Sequence, residues 1–451
     1  MTSTPDNADR ASAETIVGTL RQSGFLAYFA GGCVRDMIMG RPPKDFDIAT
    51  DASPDHVAAL FPRTHDIGKA FGVMQVVIGE QAFEVATFRS DLPYADGRHP
   101  TGVRFSSPEE DAQRRDFTVN GLFYDPEAKR VIDFVGGQTD IAARVIRTIG
   151  LPADRFREDY LRMLRAVRFA SVLEFSMDPG TAEAIRASAH EISKISAERV
   201  QQEITRLLTE SPQPGHGMEL LRQTGLLAVI LPEVMSMVGQ EQPPAFHPEG
   251  DVFTHTIKML DAMKQPDLPL AYAVLLHDVG KPPTARTATE PDGTSRIRFD
   301  NHAKVGAEIA ETILRRLKLP TREIEIVTHC IRNHMRFLDV QKMRRSTLRQ
   351  LVGAPTFALE LELHRLDCIA SHGDLGNYDF LVRFVEELKN EPALPAPWVT
   401  GHDLKAMGLA EGRELGRWRQ QAYEAQIESR FGSREELLAW LRESIGKDPG
   451  H

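Results

Sequence analysis

The sequence predicts an α+β protein: a front third built on a small mixed β-sheet flanked by helices, followed by an all-α remainder. Three observations predict it. Between Phe25 and Phe134 the short apolar runs Phe25–Phe29, Val73–Ile78, Phe83–Phe88 and Val131–Phe134 alternate with Gly- and Asp-rich turns. Beyond about Gly150 the apolar residues recur every three or four positions, the period of helices. The 451 residues, 41% hydrophobic and 26% charged, have ordinary globular composition and suffice for about three domains.

Taken in order, residues 1–13 are Ser-, Thr- and Asp-rich and read as a flexible leader. Ala13–Ser23 has helical spacing and stops before Gly24, opening a head that runs over residues 14–150. Asp159–Ala170, Glu198–Thr209 and Gly217–Thr224 read as amphipathic helices of a segment spanning 151–240. The Gly/Gln/Pro-rich stretch Val238–Pro248 reads as a linker, with a boundary near 240. A region over 241–390 follows, with a helix Val252–Met263, the apolar run Leu268–Leu276, and a mobile loop expected over Thr284–Arg296. Pro392–Pro397 precedes a last helical piece, Gly401–Ile445, within a tail over 391–451.

Lys plus Arg number 54 against 64 Asp plus Glu, a net charge of −10, so binding to nucleic acid would need a local basic patch. Two stretches supply one. Residues 114–168 carry eleven basic and eight acidic side chains, and residues 332–349 carry six basic side chains against Asp339 alone. The three cysteines, Cys33, Cys330 and Cys368, form no Cys-x-x-Cys pair, which argues against a disulfide framework and fits a reducing compartment. Leu268–Leu276 falls far short of the roughly 20 apolar residues that span a bilayer. Met1–Asp9 is polar and acidic, unlike a secretory signal, so the expected location is cytoplasmic, without a membrane partner.

Asp45-Phe46-Asp47 leads into Ile48-Ala49; on a strand, residues i and i+2 share a face, so both carboxylates converge on one spot. Oxygen ligands of this kind attract Mg²⁺, which can activate an attacking oxygen and steady a leaving pyrophosphate, although an Asp-x-Asp pair alone also suits a solvated turn. Upstream, Gly31-Gly32-Cys33-Val34-Arg35-Asp36 places a glycine pair between an apolar strand and a helix, where backbone N–H groups can approach phosphates. Glu84, acidic inside an apolar run, reads equally as a third metal ligand or as a solvent-facing side chain. Arg114-Arg115-Asp116-Phe117-Thr118-Val119-Asn120 sets arginines suited to phosphate beside polar groups that can meet a sugar. In Glu158–Arg168, Asp159, Arg162 and Arg165 repeat every three residues along a helix edge, with Leu161, Leu164 and Val167 on the core side. An Asp and an Arg one turn apart can match a base edge, with Arg165 and Arg168 reaching phosphates; plain surface ion pairing is the alternative.

In this order the four motifs resemble those of the class II CCA tRNA nucleotidyltransferases and the bacterial poly(A) polymerases, over residues 15–230. The resemblance implies a nucleotidyltransferase head followed by a helical neck that binds RNA and nucleotide. It implies that Asp45 and Asp47 bind Mg²⁺ with Glu84 assisting, and that Gly31, Gly32, Arg35 and Asp36 surround the triphosphate. Arg114, Arg115, Asp116 and Asn120 would recognise ribose and phosphate. Asp159 and Arg162 would pair with CTP or ATP, with Arg165 and Arg168 on the phosphate side. The expected reaction adds CCA to a tRNA 3′ end from CTP and ATP without a nucleic-acid template. Within the family, Asp91–Pro100 resembles the flexible loop of enzymes that add CCA or only A, so an A-adding enzyme or a poly(A) polymerase stays as the alternative.

His277-Asp278, with His255 upstream and Asp367 downstream, forms a mixed N/O ligand set. It resembles an HD domain over residues 245–375, a helical metal-dependent phosphohydrolase, and His302 and His334 resemble the added histidines of members with two metals. Asp374 competes with Asp367 for its place. The resemblance implies a second divalent metal (Mn, Ni, Mg or Fe) and a phosphatase or phosphodiesterase activity, and so a further alternative: an HD hydrolase whose front only binds RNA. The oligomeric state is left open.

Overall fold

The computed structural model describes residues 5–91, 102–243, 250–289, 295–388, 392 and 394–447. The chain separates into two units, residues 1–236 with 316–319, and residues 237–315 with 320–451.

The first unit opens with α1 (Pro5–Gln22), eight residues ahead of the expected start. Proline is tolerated in a first helical turn, and Ala13, Ile16, Val17 and Leu20 bury the stripe that anchors the helix. Residues 5–13 are therefore helical rather than leader, and 1–4 lie outside the described residues. Then come β1 (Ala27–Ala30), α2 (Gly32–Ile38), β2 (Asp47–Thr50), α3 (Pro54–Leu60), β3 (Thr64–Gly68), β4 (Val73–Ile78) and β5 (Gln81–Thr87). A short ribbon of β6 (Arg89–Asp91) and β7 (Val103–Phe105) leads to α4 (Pro108–Gln113), β8 (Leu122–Asp125), β9 (Arg130–Asp133) and α5 (Gly137–Ala143). Of the loop expected over Asp91–Pro100, Asp91 ends β6 and residues 92–100 lie outside the described residues.

The main sheet runs β3-β4-β5-β2-β1-β8-β9. Its one parallel pair is β2 with β5, in which Ile48 faces Val85 and Thr50 faces Thr87. That register sets Glu84 beside Asp47, one step before the Ile48–Val85 pair. The core under the sheet is aromatic: Phe88 and Phe123 meet edge to face at 5.7 Å, with Ala30, Ala49 and Ala112 leaving room for them.

Helices complete the unit: β10 (Val145–Ile146), α6 (Pro152–Glu158), α7 (Leu161–Leu173), β11 (Ser176–Met177, parallel to β10), α8 (Pro179–Ser188), α9 (Ala197–Glu210), α10 (Pro214–Gln223), α11 (Leu226–Ile230) and α12 (Pro232–Met235). The helix expected over Asp159–Ala170 is interrupted: α6 ends at Glu158, and Asp159 is extended at φ −153°, ψ 106°. Val200, Ile204, Leu207 and Leu208 form the buried stripe of α9, which packs on α7.

The second unit is helical around α14 (Leu268–Leu276), which follows α13 (Val252–Ala262) and is buried from Leu270 to Leu276. Asp251 and Asp267 cap these two helices by accepting from Thr254 N and Leu270 N. After α15 (Lys281–Thr284), the expected mobile loop is instead an antiparallel hairpin, β12 (Ala285–Thr289) with β13 (Ser295–Phe299), residues 290–294 lying outside the described set. Thr287 and Thr289 in β12, and Arg296 and Arg298 in β13, recur at alternate positions, a pattern that suits paired strands as well as a loop. Of the expected linker, residues 238–243 are described, and Gln242 is 4% exposed. Next come α16 (His302–Arg316), α17 (Thr321–Asn333), a 3₁₀ turn over His334–Lys342, α18 (Arg345–Val352), α19 (Phe357–Ala370) and α20 (Gly376–Glu387). The last helical piece is three helices, α21 (Gly401–Ala406), α22 (Arg413–Ile427) and α23 (Arg434–Gly446), around Trp418, Leu404, Leu437 and Leu441.

Candidate functional site

In the first unit, Gly31 turns the chain from β1 into α2 at φ +75°, a conformation that glycine adopts without strain. A Cβ there would sit 3.0 Å from Arg115 Nη1 and 4.0 Å from Asp47 Oδ2, so the glycine leaves open a small cradle between a guanidinium and a carboxylate. Asp47 opens β2, and Asp45 lies just before the strand, fully outside it. Burial, then the charges of Asp45 and Glu84, push the Asp47 carboxyl up to about 6, with Arg115 opposing. The three carboxylates repel one another, and a divalent cation would relieve that repulsion, so their oxygen chemistry fits Mg²⁺. Glu84 lies on the exposed side of β5.

The remaining polar residues form one chain. Arg35 pairs with Asp36 and donates to Asn120 Oδ1 at 2.7 Å; Asn120 Nδ2 donates to Asp116 Oδ1 at 3.2 Å. Arg165 grips Asp116 Oδ2 from Nε at 2.9 Å and Nη2 at 2.6 Å. Arg168 donates to Glu203 Oε2 at 2.6 Å. Arg35, Arg165 and Arg168 all approach the ring of Phe169, the last at 4.1 Å. Asp116 is largely buried; against the burial that would raise it, Arg165 and Asn120 hold it at about 2. Asp116→Asn is therefore expected to cost about 2 kcal/mol at pH 7. A carboxylate held low stabilises the fold only while ionised, so the cost fades as pH falls from about 4 toward 2. Urea unfolding of both proteins at pH 7, 4 and 3 measures it.

Arg114 and Arg115 share the buried Asp111: Arg114 Nε donates to Oδ1 at 2.9 Å, and Arg115 Nη2 to Oδ2 at 3.1 Å. Arg162 pairs with Glu158 and donates to Arg155 O at 3.0 Å. Asp159, though off the helix, is gripped by Arg199. The expected solvent edge of α7 is an inward one. Arg168 is only 2% exposed and turned to Glu203, because α9 covers that side of α7. Sequence reasoning missed Asp111, Phe169, Arg199 and Glu203. Asp111 had a visible signal, as an acid three and four residues ahead of the arginine pair, and Phe169 another, four residues after Arg165 on one helix; Arg199 and Glu203 are joined to their partners only through space.

The second unit brings together His255, His277, Asp278, His302, His334 and Asp367. Among the described residues two groups have ligand atoms within 4.8 Å of one another: His255, His277 and Asp367, and Asp278, His302 and His334. Asp367 stands 3.2 Å from His255 Nε2, whereas Asp374 caps Gly376 N. In His277, His302 and His334 the Nδ1 atom meets the carbonyl of Val274, Phe299 or Ile331 at 2.9, 2.8 and 2.6 Å, which makes Nδ1 the donor and leaves Nε2 a lone pair. Those lone pairs face other acceptors, His277 toward Asp278 Oδ2 at 3.1 Å and His302 toward His334 Nε2 at 3.2 Å. A shared cation reconciles such an arrangement, and the mixed N/O donors fit a transition metal. Burial pushes His334 down to about 4 and His302 in the same direction, keeping both neutral and able to ligate at pH 7. Against its burial, the charged groups around it, Lys281 among them, hold the Asp278 carboxyl well below the usual range. Lys281 Nζ lies 2.6 Å from both Asp278 Oδ2 and Gln242 Oε1.

A cavity of about 550 Å³ opens on this cluster, lined also by Lys281, Arg296, Arg298 and Phe299. Close packing of the 277–281 turn against α16 brings His302 to Asp278: a Cβ on Gly280 would lie 2.2 Å from His302 O and 2.5 Å from Gly306 N. Gly280→Ala is expected to cost about 1–3 kcal/mol or more and to weaken metal binding by displacing His302, as read by thermal unfolding and equilibrium dialysis.

No described helix is long and apolar enough to cross a membrane. Three family models match: the poly A polymerase head domain over residues 27–147, the probable RNA and SrmB-binding site of polymerase A over 174–237, and the HD domain over 252–370. The CCA-adding enzyme of Bacillus licheniformis is 47% identical over 208 residues, 46% of this chain and 52% of that protein. That of Bacillus subtilis is 48% identical over 194 residues, 43% of this chain and 49% of that protein. These alignments thus span about half the length of the curated relatives. The crystal structure of the Bacillus stearothermophilus CCA-adding enzyme in complex with CTP matches with a TM-score of 0.74 at 28% identity, covering 98% of each chain. The Thermotoga maritima CCA-adding enzyme complexed with tRNA shares the fold, with a TM-score of 0.60 at 17% identity over 98% of this chain and 96% of that one.

Proposed function

We propose that the chain is a member of the class II CCA tRNA nucleotidyltransferase and bacterial poly(A) polymerase family, with an HD domain in its second half, and that it adds CCA to the 3′ end of tRNA from CTP and ATP. The observation that carries this reading is the Asp47 carboxyl, pushed up by the charges of Asp45 and Glu84 and set with the Arg115 guanidinium around the Gly31 cradle. The RNA 3′-hydroxyl attacks the α-phosphate of the nucleotide, the bond to the β-phosphate side breaks, and pyrophosphate leaves. Asp45 and Asp47 would hold Mg²⁺, with Glu84 alongside; when bound it neutralises the charge that builds on the phosphates. Gly31 and Gly32 let the backbone approach the triphosphate, near Arg35 and Asp36. Asp116 and Asn120 are braced by Arg35 and Arg165 to meet the ribose, and Asp111 aims Arg114 and Arg115. Asp159 and Arg162 face the base edge. No protein nucleophile is needed, since such transfer depends on positioning and charge.

Support for complete CCA addition, over A-only addition or polyadenylation, lies in the front-half likeness to CCA-adding enzymes. The test is incubation with Mg²⁺, four nucleoside triphosphates and tRNAs ending before CCA, after C, or after CC, followed by sequencing of the 3′ ends. CCA on every acceptor is expected. A alone on the CC end would make it an A-adding enzyme, a long tail a poly(A) polymerase, and no extension would overturn the reading in favour of the hydrolase.

The two His/Asp groups favour a second activity beside the first: hydrolysis of phosphate esters in the HD cavity. His255, His277 and Asp367 would hold one divalent metal, and Asp278, His302 and His334 a second, of the Mn, Ni, Mg or Fe type. Bound metal supplies an activated water at neutral pH. Lys281, Arg296 and Arg298 add positive charge where a phosphate would sit.

A further inference from the structure

Asp159 lies in the break between α6 and α7, and its carboxylate is gripped from a helix outside the front motifs. Arg199, 40 residues on and in the first turn of α9, donates from Nη1 to Oδ1 at 3.2 Å and from Nη2 to Oδ2 at 2.7 Å. Leu161 N also donates to Oδ1, at 3.0 Å. A carboxylate has about four acceptor positions, so these bonds occupy both on Oδ1 and one on Oδ2. A two-pronged guanidinium contact sets the plane of the carboxylate as well as its place. α9 is itself held to α7 by the Arg168–Glu203 pair and its buried apolar stripe, so the grip is rigid.

We propose that Arg199 is a positioning residue that sets base choice through Asp159, leaving Asp159 one aimed acceptor beside the Arg162 donor. This rests on Asp159 and Arg162 being the base readers. One acceptor next to one donor matches an amino group beside a ring-nitrogen acceptor, the pattern that cytosine and adenine share. Uracil and guanine present a carbonyl beside an N–H, the reverse. A carboxylate freed from Arg199 would rotate and lose this selection, although its chemistry is unchanged.

The experiment measures kcat and KM for CTP, ATP, UTP and GTP with wild type, Arg199→Gln, Arg199→Lys, Asp159→Ala and the Asp159→Ala/Arg199→Gln double variant on the tRNA acceptors. Arg199→Gln is expected to lower kcat/KM for CTP and ATP about tenfold while UTP and GTP change far less, so selectivity falls about tenfold. Arg199→Lys, which keeps the charge without the fork, is expected to fall between. In the Asp159→Ala background, Arg199→Gln is expected to change selectivity no further. An equal loss for all four nucleotides, unchanged selectivity, or a further loss of selectivity in the Asp159→Ala background would overturn the inference. Wild type that incorporates neither C nor A would instead bring down the proposed function.

Discussion

Alanine at both Asp45 and Asp47 is expected to lower nucleotide incorporation by at least about 10³-fold, because the charge on the transferring phosphates then lacks its metal ligands. Asp47 opens β2 half-buried and Asp45 lies exposed just before it, so the side chains carry little of the core. The variant is expected to unfold at the wild-type temperature or above it, since removing Asp47 takes a carboxyl away from the like charges of Asp45 and Glu84. Gel-resolved extension of the three tRNA acceptors measures the first effect, and calorimetry the second. Extension at the wild-type rate would sink the site assignment. A variant that loses both extension and its unfolding transition would mean that the aspartates hold the fold, not the metal.

Asp278→Ala is expected to remove metal-dependent hydrolysis of phosphate esters, by at least about 10²-fold, and to lower the metal content of the protein. Asp278 faces His277, His302, His334 and Lys281 together, so its loss disturbs more of the cluster than the loss of any one histidine. Because removal would also leave Lys281 buried with less compensation, Asp278→Asn is the companion variant, keeping the size while discarding the charge. Chelation of wild-type protein is expected to lower its stability by about 2.7 kcal/mol where the metal stood at a hundred times its dissociation constant. Metal analysis after dialysis and a chromogenic phosphodiester assay check these outcomes. Undiminished metal content in both variants would show that Asp278 is no ligand. Incorporation of C and A is expected to stay within about twofold of wild type.

Much of the architecture was legible because its signals are local. The strand Val73–Ile78 and the helix Leu268–Leu276 lie where the apolar runs placed them, since hydrophobic period and turn residues act over a few positions. The misreadings have local causes too. The polar start of α1 hid a helix whose buried stripe begins only at Ala13, and the Thr- and Gly-rich stretch after Lys281 masked the hairpin of β12 and β13. Asp159 was placed on a helix because its spacing to Arg162 fits one turn. The break at Asp159 depends on how α6 and α7 pack, and spacing does not carry that information.

The sequence by itself determined which chemistries the protein holds: paired carboxylates with glycines and arginines in the front, histidines with aspartates behind, and helices or strands between. Residue type and short-range order decide those. Only the tertiary structure decided which charges meet. Arg165 takes Asp116, Glu203 takes Arg168, Arg199 takes Asp159, and the parallel pairing of β2 with β5 sets Glu84 beside Asp47. The physical reason is that a charged pair is selected by distance and burial in the folded state. Those depend on helix packing and strand register between segments far apart in the chain.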